Sequence, residues 1–130
     1  MRKLLICTVG LPRSGKSTWA RQQGVPVVNP DSIRLSMHGQ RFQPLAEPLV
    51  WATAKIMVRA LFIAGHNVVI VDATNTTKRR RDEWLDPDWT VNFQYIDTPS
   101  QKCIDRALAA GDVEIVPIIA KMAAQWEPIP

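Results

Sequence analysis

The chain has 130 residues, of which 46% are hydrophobic and 22% charged, and its sixteen Lys and Arg outnumber its twelve Asp and Glu. This balance fits one globular domain, residues 1–130, and argues against disorder; a chain of this size buries roughly 65–70% of the surface its unfolded form exposes. Only Cys7 and Cys103 are available for disulfides, so a disulfide scaffold is not expected, a reducing compartment is, and the net charge of +4 permits a polyanionic partner without requiring one.

Lys3 to Val9 is a continuous apolar run, the pattern of a strand buried on both faces. It resembles the start of a signal peptide only faintly, because it is short and leads into a glycine loop rather than a cleavage site. After that loop a helix runs from about Lys16 to Gln23 and stops at Gly24. Val25 to Val28 is a short strand. Asn29-Pro30-Asp31 then opens a helix to about Met37, with proline and an acid in its first turn. The longest helix begins near Leu45 or Pro48 and ends at Ala64. Only Lys55 and Arg59 interrupt its apolar surface, so it is expected to be largely buried.

Val68-Val69-Ile70-Val71 is a second buried strand, ending at Asp72. A short charged helix covers Lys78 to Leu85, and Asp86-Pro87-Asp88 is a turn. Thr90 to Ile96 alternates apolar and polar residues, as a strand with one wetter face does. Helices at about Ser100–Ala110 and Pro117–Trp126 complete the chain. Strands separated by helices predict an α/β fold with a small parallel sheet. The two most apolar strands, the first and third, belong in its centre and the second and fourth at its edges, an arrangement compatible with the order 2-3-1-4. No apolar stretch reaches the length of a membrane span.

Gly10-Leu11-Pro12-Arg13-Ser14-Gly15-Lys16-Ser17-Thr18 satisfies G-x-x-x-x-G-K-[ST], with a strand before it and a helix after it. Glycines at Gly10 and Gly15 let the backbone wrap a phosphate and aim N–H groups at it. Lys16 reaches the β- and γ-phosphates, and the Ser17 hydroxyl is placed to ligate Mg²⁺. Arg13, Ser14 and Thr18 complete the nucleotide-binding loop. The plainer alternative, a strand-to-helix turn with an incidental lysine, does not explain the full match in its structural context.

Ligands of open α/β sheets sit beyond the carboxyl ends of the strands. Asp31 and Arg34 follow the second strand, three apart on one helix face. Asp31 can orient or deprotonate an attacking hydroxyl, and Arg34 can grip a phosphate or carboxylate of the acceptor. Taken singly, they read as a helix cap and a surface arginine; beside a phosphate loop they read as a catalytic pair. Asp72 either holds a Mg²⁺-bound water, braces Arg34, or simply makes a turn in Asp-Ala-Thr-Asn. Lys78-Arg79-Arg80-Arg81, just past Asn75, is either a phosphate track for a polynucleotide or a solvated face paired with Asp82 and Glu83. Trp19 and Trp51 suit packing, whereas Trp84 and Trp89 flank a turn and are expected to be partly exposed. His38 and His66 belong to helix-end turns.

Three segments, the phosphate loop, Asn29-Pro30-Asp31-Ser32-Ile33-Arg34 and Val71-Asp72-Ala73-Thr74-Asn75, together resemble the bacteriophage polynucleotide 5′-kinase domain and its P-loop kinase relatives. The resemblance covers almost the whole chain. It implies a P-loop NTPase-type three-layer fold with a short arginine-bearing helical lid, at about residues 100–117. It implies that Asp31 activates a 5′-hydroxyl, that Arg34 contacts a substrate phosphate, that Asp72 is functionally important, and that Arg106 is a lid arginine closing over ATP. The chain departs at Ala110, where the family carries a second lid arginine; Arg13 is the candidate to replace it.

The sequence therefore reads as an enzyme that moves the γ-phosphate of ATP, with Mg²⁺, to a hydroxyl of DNA or RNA. Lys16, Asp31, Arg34 and Arg106 are its catalytic candidates. Asp31, Arg34, Asp72, Asn75, Arg79 and Arg80 are its acceptor contacts. The compartment would be the cytoplasm, that of a host cell if the gene is a phage's. A hydroxymethylated base in DNA, a nucleoside or a sugar are alternative acceptors. A nucleotide-binding switch or ATPase without an acceptor is the alternative of another class. The apolar long helix leaves a dimer open.

Overall fold

The computed structural model describes residues 2–129. The elements run β1 (Leu4–Val9), α1 (Lys16–Gln22), β2 (Val27–Val28), α2 (Pro30–His38), α3 (Glu47–Ile63), β3 (Val68–Val71), α4 (Lys78–Asp82), β4 (Thr90–Tyr95), α5 (Ser100–Ala109) and α6 (Val116–Ala124). Single 3-10 turns, Pro44–Ala46 and Val113–Ile115, lead into α3 and α6.

The four strands form one parallel sheet in the order β2-β3-β1-β4. The placement follows from side-chain character. The strands whose both faces are apolar, β1 and β3, lie side by side in the middle, with Cys7 opposite Val71 and Ile6 opposite Ile70. β4, every residue of which keeps some exposure, forms one edge. β2 forms the other edge and is only two residues long. Pro26 has no N–H to give the ladder, although its carbonyl still accepts from the Ile70 amide at 2.9 Å.

Alternation along the strands sends Leu5, Cys7, Val69 and Val71 into one core with Val50, Ala54, Val58 and Phe62 of α3, and with Trp84 and Trp89. A second, smaller cluster gathers Leu11 of the loop after β1 with Cys103 and Ala107 of α5 and Ile119 of α6.

Two expectations are corrected. The long helix buries a single stripe, Val50-Ala54-Val58-Phe62, at strict four-residue spacing. Trp51 and Leu61 pack half-buried against the same core, but Leu49 is 58% exposed, Ile56 68% and Ile63 76%. A helix on one face of a sheet needs only about a third of its circumference for that contact, however apolar the remainder. Trp84 and Trp89 are buried rather than partly exposed. The Trp84 indole N–H donates to Asn75 Oδ1 and the Trp89 indole N–H to the Trp84 carbonyl, so both rings enter the core with their polar atoms satisfied. Arg59 fastens the turn between them to α3, through Asp86 at 2.8 Å and Asp88 at 2.6 Å.

Candidate functional site

The loop between β1 and α1 is held from several sides. The Gly10 amide donates to the Thr74 carbonyl at 3.0 Å, and Thr98 Oγ1 donates to the Ser14 carbonyl at 2.7 Å. A Cβ on Gly10 would lie 2.7 Å from Ser14 Oγ and 3.2 Å from both Cβ and the carbonyl oxygen of Ile96, so only glycine fits there. Gly15 has φ 105° and Arg13 φ 67°. These two left-handed residues curl the backbone into the concave form that turns amides toward an anion.

Polar capacity inside this loop is left open. The Ser14 hydroxyl is buried and has no hydrogen-bond partner among the described residues. Lys16, 9% exposed, donates to the Leu11 carbonyl at 2.6 Å across the loop. Burial pushes its ammonium below the ordinary lysine value, and the charges of Asp72 and Asp31 oppose that shift. An ammonium this desolvated gains from a phosphate. Thr18 is exposed at the first turn of α1. Arg106 Nη1 donates to the Arg13 carbonyl at 3.1 Å, which lays this α5 arginine across the loop.

The neighbouring strand ends supply the rest. Asp72 is buried immediately after β3. Its Oδ2 accepts from Ser17 Oγ at 2.6 Å and from Asn29 Nδ2 at 3.1 Å. Asn29 caps α2 at the same time, its Oδ1 accepting from the Asp31 amide at 2.8 Å, and so couples the acid of β3 to the helix that carries Asp31. No group of three or more His, Cys, Asp or Glu that could hold a metal occurs among the described residues. The donor set is one hydroxyl and one carboxylate. That suits Mg²⁺, which takes few protein ligands and shares its shell with phosphates and water.

Asp31 and Arg34 meet as their spacing predicts: Arg34 Nη1 donates to Asp31 Oδ1 at 2.7 Å. The Asp31 carboxylate is 75% exposed at the mouth of the site, whereas Arg34 is 13% exposed. What holds Arg34 is Glu47, which takes a fork of two bonds, from Nε at 2.9 Å and from Nη2 at 2.7 Å. Burial opposes the arginine's charge, but the bonds and charge of Glu47 outweigh it and hold the guanidinium above its ordinary value. The sequence pattern marks Asn29 as a helix start but not its bond to Asp72, and it does not mark Glu47. The available signal for Glu47 was that it is the one acid between Asp31 and Asp72.

The acceptor contacts expected after β3 are only partly available. Asn75 is fully buried. Its amide donates to the Thr8 carbonyl at 2.9 Å and accepts from Trp84, so it braces β1 against the core and cannot reach a substrate. In the basic run, Lys78 pairs with Asp82, and Arg80 pairs with Glu83 at 2.9 Å. Arg81 is buried between the carbonyls of Asn75 and Pro128. Arg79, 92% exposed, alone of the four projects fully into solvent. The solvated, paired face is therefore closer to what is observed than a continuous phosphate track. Arg80 instead lies 3.8 Å from the centre of the Trp51 ring, with Arg34 at 5.7 Å.

A parallel sheet of order 2-3-1-4 with a nucleotide-binding loop after its first strand, an acid after its third and an arginine-bearing helix over the loop is the framework of a P-loop kinase. A model of the AAA domain family AAA_33 matches residues 5–111, and the chain belongs to that family. Among solved structures it resembles a chain of the Pnkp1/Rnl/Hen1 complex, with 30% identity and a TM-score of 0.72 over 81% of this chain and 39% of that one. It also resembles a chain of the Pnkp1/Rnl/Hen1 RNA repair complex (23% identity, TM-score 0.71, 99% of this chain and 48% of that one). A gluconokinase from Sinorhizobium meliloti 1021 shares the fold, with 18% identity and a TM-score of 0.66 over 98% of this chain and 78% of that one. The chain thus spans less than half of the first two structures' chains. The family match and the shared fold identify a P-loop domain of the kind these kinase structures contain. No helix among the described residues is long and apolar enough to cross a membrane.

Proposed function

We propose that the protein transfers the γ-phosphate of ATP to a hydroxyl of a nucleic acid, the 5′-hydroxyl of DNA or RNA. The observation that carries this reading is the Asp31–Arg34 pair, fixed by Glu47 and within electrostatic reach of Lys16. It presents a carboxylate for a hydroxyl proton beside a guanidinium for an acceptor phosphate. An acceptor that carries a phosphate next to its hydroxyl, as a polynucleotide does, uses both. The 30% identity to a chain of the Pnkp1 complex supports the same choice.

The chain's residues divide the work. The loop from Gly10 to Thr18 cradles the donor phosphates, with Lys16 bonding the β- and γ-oxygens and Arg106 closing from α5. Ser17 and Asp72 would hold Mg²⁺, which would supply neutralisation of phosphate charge. Asp31 accepts the hydroxyl proton as the acceptor oxygen bonds to the γ-phosphorus and the bond to the β-phosphate oxygen breaks, releasing ADP. Arg34 sets the acceptor's position. Positioning and charge neutralisation supply most of the catalysis in such a transfer.

The test offers labelled ATP with 5′-hydroxyl DNA and RNA, hydroxymethylated duplex DNA, nucleosides and sugars, gluconate included. Label on the 5′ end of wild-type reactions, lost in Lys16→Ala together with ATP binding and lost in Asp31→Asn with ATP binding kept, is the expected result. Label on an internal base or on a small molecule, or free phosphate alone, refutes the acceptor assignment.

A further inference from the structure

One carboxylate in the molecule gathers two arginines from distant parts of the chain. Asp112, just past α5, accepts from Arg13 of the phosphate loop at 2.9 Å. It also accepts from both Nη atoms of Arg41, the Nη1 bond to Oδ1 measuring 2.7 Å. Arg41 lies between α2 and α3, whereas Arg13 belongs to the loop between β1 and α1. The Asp112 side chain is only 12% exposed, but Arg13 is 38% exposed and Arg41 50%. The two arginines hold the Asp112 carboxyl well below the usual carboxylate range. Both side chains are long and partly solvated.

The location gives this contact a chemical meaning. The Arg13 carbonyl is the group that accepts from Arg106, so the cluster sits on the rim of the phosphate loop. The bonds and charge of Asp112 hold the Arg41 guanidinium above its ordinary value, with smaller contributions from Glu114 and Asp31. A carboxylate holding a fork of one guanidinium plus a bond from another offers the same pattern of acceptors as a phosphoryl oxygen pair. The lid itself carries Ala110 directly before Gly111, so α5 brings Arg106 and no second arginine at its end.

We propose that Arg41, together with Arg13, contacts the terminal phosphate of the bound nucleoside triphosphate, and that Asp112 holds the two arginines in the nucleotide-free protein by occupying them as an anion. Arg41 is then a further catalytic residue, supplied by the α2–α3 segment. Asp112 is a positioning residue that a triphosphate displaces and a diphosphate does not. The inference rests on the nucleotide-binding part of the proposed function and is independent of which hydroxyl is phosphorylated.

The experiment measures equilibrium binding of ATP and of ADP, without acceptor, to the full chain and to Arg41→Ala, Asp112→Asn and the double variant, with thermal unfolding followed for each. Arg41→Ala should weaken ATP roughly 10-fold or more and leave ADP within about twofold, the loss expected of a guanidinium–phosphate fork. Asp112→Asn should leave ATP binding unchanged or tighten it, since it removes a competing anion. Equal weakening of ATP and ADP by Arg41→Ala overturns the proposal, as does unaltered ATP binding. So does a pattern in which Arg41→Ala, Asp112→Asn and the double variant lose the same thermal stability and the same affinity, which is the signature of a structural tie. Wild-type protein that discriminates ATP from ADP through Arg41 but labels no nucleic acid refutes the acceptor assignment alone.

Discussion

Replacing Glu47 separates the support of the acceptor side from the phosphate loop. Glu47→Ala removes two bonds to a guanidinium that is 13% exposed, from a carboxylate that is 17% exposed. Breaking one side of a fully buried ion pair costs about 3–5 kcal/mol, and an exposed pair contributes about 0–1 kcal/mol. This pair is nearly buried, but Arg34 retains Asp31 at 2.7 Å, so a loss of about 2 kcal/mol is expected, on the order of 5–10 °C in Tm for a chain of this size. With the fork gone, Arg34 keeps only the exposed Asp31 as a hydrogen-bond partner, and KM for a nucleic-acid acceptor should rise roughly 10-fold, as for one charge-assisted bond. ATP affinity should not move, because neither Arg34 nor Glu47 bonds to the loop. Calorimetric unfolding, steady-state kinetics with varied acceptor and ATP titration read the three quantities.

The same pair predicts a pH effect. Burial pushes the Glu47 carboxyl up, and the bonds and charge of Arg34 outweigh it and hold it below its ordinary value. Its stabilisation is therefore complete above the unfolded-state value of about 4.3 and is lost as pH falls through the folded-state value. Glu47→Gln should be less stable than wild type at neutral pH and lose less stability on acidification. A Glu47→Ala protein with wild-type Tm and wild-type acceptor KM would refute the reasoning, and so would one whose ATP affinity falls with its acceptor affinity.

Gly10→Ala should cost about 1–3 kcal/mol, because the new methyl meets not only the movable Ser14 hydroxyl but the backbone of Ile96; unfolding in denaturant checks it, and a wild-type midpoint contradicts the packing account. Asn75→Ala strands the Thr8 carbonyl and the Trp84 indole N–H in a fully buried position, for a loss of about 3 kcal/mol. Its acceptor binding should keep the wild-type salt dependence; a raised acceptor KM with unchanged Tm would restore Asn75 as a substrate contact.

The parts of the fold that depend on local pattern were legible in the sequence. Two strands apolar on both faces had to lie in the centre, an alternating one at an edge, and the loop Gly10–Thr18 had to join a strand to a helix. Asp31 and Arg34 could be paired from helical spacing alone. What could not be read is what depends on which surfaces meet. The apolar content of α3 gave no sign that one i+4 stripe suffices to cover the sheet. Asn75 looked like a loop residue at the rim, but its side chain turns inward between Thr8 and Trp84. Glu47, Arg41 and Asp112 act across 13, 71 and 99 positions of chain, and no periodicity reports such contacts. The basic run Lys78–Arg81 resolved into three different environments because a helix distributes successive residues around its axis.

Leu11 ties together two things that a sequence lists separately. It belongs to the turn that follows β1, yet its side chain is packed with Cys103, Ala107 and Ile119 in the smaller of the two apolar clusters. The anion-cradling backbone and the helices above it therefore share one unit of local stability, weaker than the main core. Amides of α5 and α6 should exchange with solvent through a partial opening that also slackens the turn. A triphosphate seated there would slow that exchange even in α6, which carries none of its proposed contacts.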